Sequence, residues 1–343
     1  MLPAFAGFLP SALYVQFHPA LQYAVIAIQA FPARSHSDMH YKHRQTPAAL
    51  RFPDEESCIV YLEKLRWRNG KVKSPFDKKS KVYYLPNHRY MCKNTQKIFN
   101  VKVGTIFHGT KLPLRKWFMA IWLVLAHKKG ISSLQLSRDL KITQKTAWYI
   151  LQKIRTYFIC RNRGRLSGEV ECDETFVGGK NKNRHWDKKV KNAQGRSFKD
   201  KTPVFGMLQR KGDAITRVVE NTSQKELTPK ILEFVKRDYT VLYTDEWLGY
   251  NAVDKMFYHY SVDHGKGKYV DGRIYTNTIE GFWSIFKRGI IGIYHHISKK
   301  HLQLYANEFT FRYNTRKIRD SSKFKLLLRN SYFKITYLDI VAA

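Results

Sequence analysis

The stretch GEVECDETFVGG, residues 168–179, decides how the second half of the chain is read. Read as a strand, it puts Glu171 and Asp173 on one face and Val170 and Cys172 on the other. A carboxylate at the end of a buried strand is costly unless it is paired or ligates a cation. TVLYTD, residues 240–245, repeats the pattern, ending on Asp245 with Val241 and Tyr243 on the same face. Between them, residues 202–220 read as a hairpin turning at Lys211-Gly212-Asp213. Residues 227–238 read as a helix capped by Thr228, with Pro229 at its first position. Helical stretches follow at 249–257, 278–288 and 299–314. Strand, hairpin, helix, strand and then helices predict an α/β domain with a mixed sheet flanked by helices.

The first half reads differently. A helix is expected over 52–67, where Pro53 precedes an acidic first turn. Residues 70–100 alternate polar and aromatic positions around turn residues and predict short strands in a small module. Residues 113–158 predict three helices. Ser132 or Ser133 caps the second, with Leu134, Leu136 and Leu140 inward, and Thr143 caps the third. A short helix, a tight turn and a longer basic helix make an all-α helix-turn-helix. Its last helix is expected to expose Gln144, Lys145, Lys153 and Arg155 to the major groove and phosphates of DNA.

Charge favours that partner. The 343 residues hold 61 Lys and Arg against 27 Asp and Glu, a net charge of +34. With 43% hydrophobic residues the chain can build cores, so the excess points to a polyanion rather than to disorder. No apolar run approaches the roughly 20 residues needed to cross a bilayer, so a membrane partner is not expected. The four cysteines, Cys58, Cys92, Cys160 and Cys172, form no CxxC pair, which fits a reducing, cytoplasmic setting. The first 40 residues are almost uncharged and lack a signal peptide's basic start. Residues 1–45 are therefore read as a disordered extension outside the folded protein, with Met39 as its start. The lysine-rich residues 178–201 read as a mobile basic loop.

TNTIEGFWSIFKRG, residues 276–289, supplies a third carboxylate. Asn277 followed three residues later by Glu280 fits a reciprocal helix cap. The helix also puts Glu280, Trp283 and Lys287 on one face, with Lys287 two turns, roughly 10 Å, beyond the glutamate. If that face meets the strand ends, Asp173, Asp245 and Glu280 converge. Three oxygen ligands with open positions suit Mg²⁺ or Mn²⁺, and Lys287, Arg288 and Trp283 would then lie along a DNA strand.

With these motifs in place the chain resembles the DDE transposases of bacterial insertion sequences, and more narrowly the ISXO-type group. The matching segments run in family order over residues 50–320: GTKLPLRKWFMAIW, KKGISSLQLSRDLKITQKTAWYILQKIR, GEVECDETFVGGK, YTDEWLGY, NTIEGFWSIFKRGIIGIYHHISKKHL and NEFTFRYNTR. The resemblance implies a degenerate zinc-ribbon-like module over 50–110, a helix-turn-helix over 111–160, an RNase H-like catalytic domain over 165–320 and a C-terminal tail over 321–343. It implies Asp173, Asp245 and Glu280 as metal-binding triad, Lys287 as the basic residue after the glutamate, and supporting roles for Asn277 and His264. It further implies binding of terminal inverted repeats and target DNA, metal-dependent cleavage and strand transfer, a homo-oligomer on DNA, and no small-molecule substrate. The family's ribbon usually carries two CxxC pairs. Here those positions are Ser74 to Asp77 and Cys92 to Thr95, so no zinc is expected and Tyr83, Tyr90, Ile98 and Phe99 are expected to hold the module together. Tyr275 stands where the group often has a histidine. The alternatives are a decayed copy that only binds DNA, and a nuclease of the same fold.

Overall fold

The alternating stretch around Asp173 forms β4 (Glu169–Val177), the central strand of a five-stranded sheet. The protein is seen here in a computed structural model that describes residues 52–158, 164–179, 185–190, 201–245, 247–262, 274–330 and 332–342. The expectations for residues 1–45, for Met39, for Cys160, for His264 and for most of 178–201 lie outside these. The expected hairpin is β5 (Thr202–Gln209) and β6 (Ala214–Val218), antiparallel to β4, with Lys211 in the left-handed region at the turn. On the other side β7 (Val241–Asp245) and then β8 (Tyr258–Val262) run parallel to β4. The order β6-β5-β4-β7-β8, with one antiparallel hairpin and parallel strands beyond β4, is RNase H-like. The sequence reading had no β8. It follows the 3₁₀ segment Leu248–Lys255 directly and is an edge strand with exposed Tyr258 and Tyr260, so it lacks the apolar run that marks a central strand.

Each face of the sheet has its own apolar layer. Val170, Cys172, Phe205, Met207 and Leu242 pack against the first helix after the hairpin, α5 (Gln224–Phe234), and against Tyr250 and Val253. Val204 and Leu208 point the other way and pack under α6 (Asn277–Gly289) and α7 (Leu302–Asn314). The period-2 pattern of β5 therefore serves two layers, and the result is a helix–sheet–helix sandwich. Helix α5 begins five residues earlier than expected, after Ser223, so Pro229 lies inside it rather than at its start and Thr228 is not the cap.

The N-terminal part contains α1 (Glu55–Arg66), a three-stranded antiparallel sheet of β1 (Val82–Leu85), β2 (Arg89–Cys92) and β3 (Ile98–Phe99), and the three helices α2 (Leu114–Ala126), α3 (Ser133–Leu140) and α4 (Gln144–Tyr157). Asp54 caps α1, Ser132 caps α3 and Thr143 caps α4, each accepting from a backbone N–H of the first turn. Leu136 and Leu140 face inward, but Leu134 does not. It is half exposed, because the inward face of α3 follows residues 136, 137 and 140. In the small sheet Tyr90 and Phe99 are buried with Trp67 and Cys92, whereas Tyr83 and Ile98 are exposed and hold little together. The stretch expected as a C-terminal tail forms α8 (Asp320–Arg329) and α9 (Tyr337–Ala342). Phe324, Leu327 and Leu328 of α8 complete the core of the N-terminal helices, with Phe324 edge-on to Phe118.

Two residues assigned to DNA contact are in fact internal. Lys153 and Arg155 are each 2% exposed, Arg155 under α7 and Lys153 against Trp117 of α2. Arg155 Nε donates to Glu308 of α7 at 2.7 Å, Arg312 holds the other Glu308 oxygen at 2.6 Å, and the Arg155 guanidinium stacks on Tyr305. Lys153 has no carboxylate partner among the described residues; its ammonium lies over the rings of Trp117 and Tyr149, and burial pulls its pKa down to about 8. Its folded pKa is thus below the unfolded value, so the unfolded chain binds the extra proton and stability rises with pH between about 8 and 10.5. Lys153→Met is expected to match or exceed the wild type in stability at pH 7. The wild type should regain about 3 kcal/mol on it by pH 10.5. Urea unfolding of both proteins at the two pH values measures this, and a gap independent of pH would refute it.

Candidate active site

β4 and β7 are paired in parallel with Glu171 opposite Tyr243. Two residues further along, Asp173 and Asp245 therefore stand side by side where the two strands end their pairing, on the face covered by α6. Asp245 is buried and accepts from the Trp247 backbone N–H at 3.2 Å. Asp173 is half-buried and accepts from the Glu174 N–H at 2.7 Å. The structure adds a carboxylate that the sequence reading did not assign. Asp173, Glu174 and Asp245 each offer an oxygen within 4.8 Å of the others. Glu174 is buried on the opposite face of β4, where the Tyr250 hydroxyl donates to it. The donor set is oxygen only, since the nearby Cys172 thiol is buried and pushed well up by that burial, so it fits a hard divalent cation such as Mg²⁺ or Mn²⁺.

Glu280 stands outside this group. It lies in the first turn of α6, exposed, where its Oε1 accepts from the Thr276 hydroxyl at 3.0 Å. The cap position is Thr276 rather than Asn277; Asn277 is the first residue of the helix and is exposed beside the site. What holds this helix end to the sheet is Glu171. Its carboxylate is fully buried and accepts from the Ile279 N–H and the Thr278 hydroxyl, both at 2.9 Å, and from Arg210 Nε at 2.7 Å. An anion at the free N–H groups of a helix start satisfies them and complements the helix dipole. Alternation had placed Glu171 on the face of Asp173, but its partners lie 39 and 107 or more residues away in the chain, so its role was not readable there.

Trp283 does not face solvent. It is 4% exposed and lies flat on β5 at Gly206, the residue paired with Asp173; a Cβ on Gly206 would run into the indole. Ile279, Phe282, Trp283 and Phe286 form the buried side of α6, so Trp283 packs on the sheet instead of lying on the exposed face expected for it. Lys287 and Arg288 are exposed on its last turn, and Gln144 and Lys145 are exposed at the start of α4, with Gln144 donating to Ser133. At the degenerate ribbon Cys92 is buried. Burial alone would raise its pKa, but hydrogen bonds from Ser74, Ser80 and Thr95 outweigh it and bring it to about 6. Asp77 is engaged by Asn94 at 2.7 Å and by the Lys79 N–H.

The RNase H-like sheet thus carries acidic side chains side by side on two neighbouring parallel strands, in the middle of β4 and at the end of β7. Residues 165–314 match the ISXO2-like transposase domain. The chain is 33% identical over 118 residues to a transposase-like protein of Haemophilus influenzae, covering 34% of this chain and 94% of that one. It is 29% identical over 274 residues to a protein of transposable element ISH50 from Halobacterium salinarum, covering 76% of this chain and 91% of that one. The crystal structure of the Mos1 strand transfer complex aligns with a TM-score of 0.26 and 11% identity, covering 63% of this chain and 79% of that chain. The protein belongs to the ISXO2-like transposase family.

Proposed function

We propose that this transposase binds the terminal inverted repeats of an insertion sequence and carries out metal-dependent DNA cleavage and strand transfer. The observation that supports this most is the closeness of Asp173, in the middle of β4, to Asp245, the last residue of the neighbouring β7, two strands that come from separate parts of the chain. Asp173, Asp245 and Glu280 hold the metal, with Glu174 beside them. Glu280 joins the aspartates by exchanging its Thr276 partner, a side-chain rotation at a helix start that Glu171 keeps fixed on the sheet. A bound Mg²⁺ or Mn²⁺ supplies activation of the attacking oxygen and charge stabilisation of the leaving one.

The remaining roles fall to exposed cations. Lys287 stands two turns beyond Glu280, about 10 Å along the helix, and holds a phosphate next to the one being cut. Arg288 extends that contact. Gln144 and Lys145, at the start of α4, enter the major groove of the repeat, while Lys153, Arg155 and Trp283 take no part. Cleavage by water and attack by the exposed 3′-OH are the same in-line displacement at phosphorus, so one site serves both. Two ends must be joined together, so the active species is a homo-oligomer on DNA, acting in the cytoplasm at the nucleoid. No helix among the described residues is long and apolar enough to cross a membrane. Zinc has no part in the reading, because Ser74, Asp77 and Thr95 offer oxygen where thiolates would be needed.

The test is incubation of the full chain with duplexes carrying the element's own ends and a plasmid target, in Mg²⁺ and in Mn²⁺. Joined products are expected. Hydrolysis without joining would favour a nuclease, and binding without either reaction a copy that only occupies DNA.

A further inference from the structure

Between the end of α2 and helices α6 and α7 lies an open cavity of about 480 Å³. Its floor is apolar, made in part by Phe282, Ile285 and Tyr313, and Ile285 is 43% exposed although it is aliphatic. Its mouth is ringed by cations, and no carboxylate lines it among the described residues. Two of these cations are neutralised: Arg312 by Glu308 at 2.6 Å and Lys323 by Asp320 at 2.8 Å. Lys128, Lys129, Arg288 and Arg316 are exposed and pair with no carboxylate among the described residues. Arg288 and Arg316 donate only to backbone carbonyl oxygens, and Arg316 lies over the Tyr313 ring at 3.9 Å. A second cavity of about 590 Å³ shares Tyr313 and Arg316 with the first and continues past Lys211, Glu169 and Arg210, which pairs with Glu169 and Glu171, to Thr278 at the start of α6. The open path thus follows α6 from Arg288 back to Thr278, and its cations without a carboxylate partner among the described residues stand at the Arg288 and Arg316 end. Ten residues of helix are about 15 Å.

We propose that the first cavity takes an unstacked base of a DNA strand, with the phosphates on either side held by Lys128, Lys129, Arg288 and Arg316. This rests on the reading of the protein as a DNA-acting transposase and names a site apart from the strand-end carboxylates. An apolar, partly aromatic floor accepts the π-face of any base, and cations at the rim track the backbone, which is the chemistry of single-strand recognition. A charged rim alone would suit any polyanion; the exposed Ile285 and the Arg316–Tyr313 stack are what select a nucleotide. A helix of acidic peptide would also meet the charge, but its side chains offer no flat face to this floor.

The experiment measures binding of fluorescein-labelled dT12 and of a 20-base-pair end duplex to the full chain, with Lys128→Glu/Lys129→Glu and Ile285→Glu compared to wild type. All substituted positions are exposed, and thermal melting confirms that the variants fold. Each variant is expected to lose at least tenfold in dT12 affinity while duplex binding through α4 changes by less than about threefold. In the double variant the slope of log K on log salt should fall by about 1.4, two contacts at about 0.7 each for single strands. A polyglutamate of equal charge should compete at least tenfold more weakly than unlabelled dT12. Unchanged dT12 binding in both variants, or equal competition by polyglutamate, would overturn this proposal and leave the transposase reading intact. Failure of the wild type to bind the duplex would instead count against that reading.

Discussion

Glu308→Gln is expected to destabilise the protein by about 3–5 kcal/mol, since it leaves two guanidinium groups buried without their counter-ion. Glu308 is 1% exposed between Arg155 and Arg312, and the Tyr294 hydroxyl donates to it at 3.0 Å. Burial alone would raise its pKa; the two arginine charges outweigh that and hold it at about 2. Because the folded pKa is below the ordinary value of 4.5, this contribution is complete above pH 4.5 and is lost as pH falls towards 2. The residues come from α4 and α7, 153 positions apart, so the pair ties the N-terminal helices to the sheet domain. Urea unfolding at pH 7 reads the loss, and Arg155→Met/Glu308→Leu should recover part of it by removing both buried charges. A loss below about 1 kcal/mol for Glu308→Gln would mean that the cluster does not hold the two parts together.

Asp245→Ala is expected to lower DNA cleavage and joining by at least about 10³-fold, roughly 4 kcal/mol in the barrier, with folding intact. Glu280→Gln should have an effect of the same order if Glu280 completes the metal site. Glu174→Gln should cost less, about 10–100-fold, as expected of a group that supports the ligands rather than supplying one. Single-turnover joining on pre-cleaved ends separates these outcomes. If Glu174→Gln were the more damaging of the two glutamate changes, Glu174 and not Glu280 would be the third ligand.

The sequence made the sheet legible because β4, β5 and β7 are buried on both sides or on one, and burial writes itself into period-2 or continuous apolar patterns. The same rule hid β8, an exposed edge strand. The aspartates were legible because acidic residues are scarce in a chain of +34 and both follow apolar strand residues, although β4 runs on past Asp173 to Val177 and only Asp245 ends its strand. Arg155 and Lys153 were misread for the opposite reason: on a helix, polar residues off the apolar stripe look solvated, and only Glu308, 153 positions further on, shows that Arg155 is internal. Trp283 was placed correctly on its helix but on the wrong side of the boundary between buried and open, a matter of how deeply α6 sits over Gly206. Glu171 shows the limit most clearly. Its face could be read from alternation, but its work, holding the start of α6, depends on residues over 100 positions away.

The most direct measurement is DNA joining by Asp245→Cys in Mg²⁺ and in Mn²⁺. A thiolate is a poor ligand for Mg²⁺ and a more acceptable one for Mn²⁺. Joining should be lost in Mg²⁺ and recovered in part in Mn²⁺, which would identify the Asp245 position as a metal ligand. Joining at the wild-type rate in Mg²⁺ would contradict the metal-holding role on which the proposed function rests.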